Sequence, residues 1–120
     1  MANAVQMEAK NKTEHVEDKN IEVHFTNGVG YWSEEIGHEK IIDGSLIIAS
    51  PAEGSWDIKF EEGDQPEKPE NTFYEQDRVK RNQEVSIYRH RMERKRLILN
   101  FKSNEKRNET VKANLHLNFN

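Results

Sequence analysis

From Ile21 onward, apolar residues recur at every second position over most of the chain. Ile21, Val23 and Phe25 alternate with Glu22, His24 and Thr26, the period of a strand with one buried face. Asn27-Gly28 follows at once, a hairpin turn signal because both positions tolerate positive φ. Val29–Glu35, with Tyr31 and Trp32, reads as the returning strand, and Ile36-Gly37-His38 as a loop. Lys40–Ser50 is the most apolar stretch. Its apolar residues fall on both parities, which predicts a strand buried on both faces or covered by the N-terminal arm. After the turn Pro51–Gly54, Trp56, Ile58 and Phe60 alternate with Asp57, Lys59 and Glu61. Glu62–Asn71, with two prolines and four acids, reads as a solvated loop on the rim. Phe73–Lys80, Glu84–Arg91 and Lys95–Lys102 are the next strands. The last is the cleanest: Val111, Ala113, Leu115, Leu117 and Phe119 face one way, and Lys112, Asn114, His116 and Asn118 the other.

Seven or eight short strands separated by turn signals define an all-β domain, an antiparallel sandwich or a small barrel, over residues 21–120. Residues 82–97 carry a competing signal, since Val85, Tyr88, Met92 and Leu99 also fit helical spacing. The β-branched Val85 and Ile87, and the strand pattern that follows, favour a strand. Sequential neighbours pair often in antiparallel sheets, so the C-terminal strands are expected to form a meander. Met1–Asn20 has only Val5, Met7 and Val16 as sizeable apolar residues. It reads as a flexible arm, free or ordered on a neighbouring subunit.

Composition narrows the function classes. The chain has no cysteine, so thiol catalysis and Cys-based metal sites are excluded. Met1–Asn20 holds no apolar run of the signal-peptide or membrane-span kind, and the expectation is a cytoplasmic protein with no membrane partner. At 33 % hydrophobic and 33 % charged residues the core must be thin, and such chains often gain stability by association, here as a homo-oligomer. The mild net charge of −4 hides a strong polarity. Residues 78–107 hold every arginine, eleven Lys or Arg against three acids, while residues 1–77 hold six Lys against eighteen acids.

On a C-terminal meander, Tyr88 and His90 would share one outer face with Arg94, Arg96 and Lys102 of the next strand and with Lys112 and His116 of the last. These seven residues are the candidate binding set. Arginine forks take phosphate or carboxylate, and the tyrosine ring offers a stacking plane. The set predicts a non-enzymatic binding protein that docks a charged sheet surface on a macromolecular partner, a protein before a nucleic acid. Three other readings stay open: a self-assembling structural subunit of a virion or similar particle, a single-strand nucleic-acid binder, and a solvated face whose cations pair with acids of residues 1–77. No histidine spacing matches a metal site. The adjacent acids Glu34-Glu35 and Glu61-Glu62 point to opposite faces of a strand and cannot form a catalytic pair. No cofactor or catalytic residue is expected.

Overall fold

The computed structural model describes residues 15–120, and those residues form eight strands and no helix. In chain order they are β1 (His15–His24), β2 (Val29–Glu35), β3 (Ile41–Ser50), β4 (Trp56–Gly63), β5 (Asn71–Val79), β6 (Glu84–Arg91), β7 (Arg96–Ser103) and β8 (Thr110–Phe119). Residues 82–97 are accordingly strand and turn. The strands make two four-stranded antiparallel sheets, ordered β1-β8-β3-β6 and β2-β7-β4-β5. Every connection but β4–β5 passes from one sheet to the other. Eight strands wound in this way form a jelly-roll sandwich.

On β1, β4, β6, β7 and β8 the inner faces are those the alternation predicts. Ile21 and Val23 of β1, Leu46 and Ile48 of β3, Val85 and Ile87 of β6, and Val111, Leu115 and Leu117 of β8 line one side of the core. Trp56, Ile58 and Phe60 of β4 meet them from the other sheet with Leu97, Leu99 and Phe101 of β7. The Trp56 indole N–H donates to Glu109 at 3.0 Å, so the largest buried ring also satisfies its one polar atom. Trp32 is half-buried against the core, whereas Tyr31 lies on the outer face and donates its hydroxyl to Glu67 at 3.0 Å.

Several expectations need correction. First, the C-terminal meander does not form. β6 pairs with β3 alone, β7 lies between β2 and β4, and β8 lies between β1 and β3. Alternation states which side of a strand is buried, but carries no information about its neighbour. Second, Asn27 (φ 53°) and Gly28 (φ 85°) do make the tight turn, closed by paired bonds between Thr26 and Val29. The strands on either side then part to different sheets. Third, β1 starts at His15, six residues earlier than the domain was expected to begin, and pairs with β8 from His15↔Phe119 onward; residues 1–14 lie outside the described part. Its first half lacks an apolar alternation because Glu17 and Lys19 fill the inward positions. Lys19 bridges Glu17 at 2.7 Å and reaches across to Glu34 of β2 at 2.9 Å, closing the sandwich margin with an ion-pair network in place of apolar contact. These contacts hold the Glu17 carboxyl below, and the Lys19 amine above, their ordinary values. Fourth, β4 continues through Glu62 and Gly63, and both are buried. The 64–70 loop then folds back, and Ile98 is buried on the outer side of β7, with its Cδ1 near Gly63.

β3 is half-buried on its outer side rather than covered on both. Between Ile42 and Gly44 its register against β6 shifts, from Ile42↔His90 to Gly44↔Ile87. Gly44 is required there: a Cβ would stand 1.9 Å from the His116 carbonyl oxygen of β8.

Candidate functional site

The jelly roll distributes the seven candidate residues over three places. Tyr88, Lys112 and His116 lie on the outer face of the β1-β8-β3-β6 sheet. Arg96 and Lys102 lie on the outer face of the opposite sheet. His90 and Arg94 lie at the margin where β6 meets β5. Both faces follow from the register. Lys112 and His116 alternate with the buried Val111, Ala113, Leu115 and Leu117, and Lys102 alternates with the buried Phe101 and Ser103.

Most of these cations already have partners. Arg94 meets Asp64 at 3.4 Å and Glu70 at 3.0 Å. Arg96 donates to the Ser33 hydroxyl at 3.0 Å. Lys112 stands 3.8 Å from Glu22. His116 contacts Asp18 of β1 at 2.5 Å, and that hydrogen bond raises its pKa above the ordinary histidine value. Arg91 pairs with Glu39 as well. The arginine-rich stretch is therefore tied in part to acids of the N-terminal half, as the solvated-face reading expects. Lys102 lies beside Asp57 and Val29 in the ladders but makes no ion pair among the described residues. It borders a depression of about 430 Å3 on the second sheet, together with Asp57, Lys59, Glu61 and Asn100.

The margin between β5 and β6 holds the most constrained cluster. His90 stacks flat on Phe73, with ring centres 3.8 Å apart and planes at 3°. Its Nε2 lies 3.3 Å from Glu62, whose side chain is only 1 % exposed. The Glu62 carboxylate also accepts from the Asn71 amide at 2.7 Å and from the backbone N–H groups of Glu93 and Arg94 at 2.9 and 3.3 Å. Burial is the largest single influence on this acid and would raise its pKa. The hydrogen bonds together outweigh it and hold the pKa below the ordinary carboxylate value. Glu62 thereby fastens the turn between β6 and β7 to the end of β4. Its neighbour Glu61 accepts from Thr72 and Asn100 on the other side of the strand. Nothing in the sequence marks Glu62, which sits in an acidic, proline-containing run of solvated appearance.

On the outer face of the first sheet, a row of small polar residues crosses the strands in register: Ser86 of β6, Ser45 of β3, His116 of β8 and Asp18 of β1. Asp43 and Asn118 form the next row, joined by an amide-to-carboxylate bond of 2.8 Å. The Tyr88 ring is 69 % exposed and stands edge-on to Tyr74 of β5, with centres 5.6 Å apart and planes at 87°. Tyr74 in turn packs on the buried Phe60.

No family model matches the sequence, and no curated protein matches it. Among solved structures, the fold resembles a chain of Bacillus endospore appendages, described as disulfide-linked pili, at 14 % identity and a TM-score of 0.51, over 89 % of this chain and 88 % of that one. It also resembles a chain in the acid-stable capsid of a Helicobacter pylori bacteriophage, at 10 % identity and a TM-score of 0.51, over 88 % of this chain and 91 % of that one. At these identities the likeness is one of fold.

Proposed function

We propose that this chain is a self-assembling structural subunit, a building block of a filament or shell, with a structural rather than a catalytic role. The observation that carries the reading is the whole-chain match to a pilus chain and a capsid chain. In both cases the match spans about nine-tenths of each chain, so it involves the whole sandwich rather than a part of it. Among the described residues four edge strands, β1, β6, β2 and β5, offer one unpaired side each, and edge strands are ready templates for contact with another copy. This sequence has no cysteine, so contacts between its residues in such an assembly are not disulfides, unlike the links of the disulfide-linked pili. A single charged docking face finds less support, because its residues divide among two faces and a margin and most already hold partners.

Light scattering on the eluted full chain over a concentration series, followed by negative-stain microscopy, tests the proposal. The expected result is a mass that rises in whole multiples of the chain, with regular rings, shells or filaments. A monomer at every concentration and salt level overturns it.

A further inference from the structure

The outer face of the β1-β8-β3-β6 sheet carries a shallow groove of about 360 Å3, at the lower end of the roughly 300–1,000 Å3 typical of small-ligand sites. The register shift between β3 and β6 borders it: Tyr88 and Arg89 of β6 both lie opposite Asp43, between the Ile42↔His90 and Gly44↔Ile87 pairs. Ser45 and Ser86, paired on the outer face, are small, so the centre of the face is low. Tyr88 and Arg89 wall one side, and His116 and Asn118 the other.

We infer that this groove binds a neutral saccharide, with Tyr88 as the stacking surface and the polar row beneath it as the hydrogen-bonding floor. Three features carry the inference. Tyr88 is exposed yet held: its edge contact with Tyr74, itself packed on Phe60, fixes the ring while leaving it open to solvent. An ordered aromatic face of this kind suits the apolar C–H face of a sugar ring and costs little conformational freedom on binding. The floor mixes donors and acceptors in register, with hydroxyls from Ser45 and Ser86, an imidazole from His116, and the Asp43–Asn118 pair. Ligand hydroxyls both donate and accept, and only such a mixed set satisfies them. The charge balance then selects among ligands. Asp43 and Glu84 oppose Arg89 and His116 around the groove, and Asp18 already engages His116. A polyanion such as single-stranded nucleic acid meets no net positive field here, whereas a neutral polyhydroxyl ligand meets no repulsion.

The test uses the full chain on a printed array that holds neutral oligosaccharides alongside sulfated and phosphorylated ones, with Tyr88→Ala, Tyr88→Phe and Tyr31→Ala compared to the wild type. Tyr31 is the control, an exposed tyrosine on the opposite sheet. Retention of at least one neutral glycan is expected. Tyr88→Ala should weaken it by about tenfold, Tyr88→Phe by no more than about twofold, and Tyr31→Ala not at all. Three results overturn the proposal: no neutral glycan retained, binding confined to the anionic ones, or binding that Tyr88→Ala spares. Light scattering on the same samples should give one assembly state for wild type and Tyr88→Ala, so a failure here is separable from a failure of the subunit reading.

Discussion

Among single residues, Glu62 has the largest consequence for its size. A carboxylate 1 % exposed that accepts four hydrogen bonds is stable only while it is ionised and all four donors are present. Glu62→Gln keeps the volume but turns an amide N–H₂ toward donors. It should cost about 1.5–3 kcal/mol at neutral pH, measured by urea denaturation. The pH dependence has a definite sign. The folded pKa of Glu62 is depressed, so its contribution is fully present above the ordinary Glu value of 4.5 and is lost as pH falls through the folded value. The gap between wild type and Glu62→Gln should therefore shrink on acidification below that value. A gap that stays constant down through the acid range would show that the carboxylate's charge plays no part.

Strands set the next scale, and β1 and β8 are the pair on which expectation and structure can be separated most sharply. Their ladder runs without a break from His15↔Phe119 to His24↔Thr110. The chain that begins at His15 keeps every rung of this ladder and is the reference for the urea midpoint. Removal of residues 1–20 takes six rungs and the Lys19 bridge to Glu34, and the midpoint should fall. Equal midpoints for the two truncations would mean that the His15–Asn20 rungs contribute nothing. Within β8, Leu117 is fully buried, and Leu117→Ala should cost about 2–5 kcal/mol by the same measurement. A midpoint that does not move would place that side chain outside the core.

For the whole molecule, the question is where the charge polarity is spent. Arg94 bridges Asp64 and Glu70 in a half-exposed position, Arg96 holds a serine hydroxyl, and Lys102 has no ion pair among the described residues. Exposed pairs of this kind contribute under about 1 kcal/mol each, because both charges remain hydrated. Changing Arg94, Arg96 and Lys102 together to Gln should lower stability only slightly, by about 1 kcal/mol or less, in urea at low salt. High salt should narrow even that difference. A salt-dependent loss of assembly in the same variant, seen by light scattering, would instead assign these cations to a subunit contact.

Local chemistry was legible where each residue answers to its immediate neighbours. The period of two identified the strands from Ile21 to Phe119, chose the buried faces of β1, β4, β6, β7 and β8 and outweighed the helical spacing of residues 82–97, because a strand's two sides are set by backbone geometry alone. The turn at Asn27-Gly28 was legible for the same reason, as its φ values are a property of those two residues. What the alternation could not hold was partnership. Whether β6 lies beside β7 or beside β3 depends on contacts far apart in sequence, and any strand with one apolar face fits either place. That choice moved Tyr88 and His116 onto one groove and sent Arg96 and Lys102 to the other side of the sandwich. It also buried Glu62, whose donors Asn71, His90, Glu93 and Arg94 come from three separate segments. A carboxylate among acids and prolines looks solvated until the tertiary structure brings those donors to it, and only their arrival makes its burial affordable in free energy.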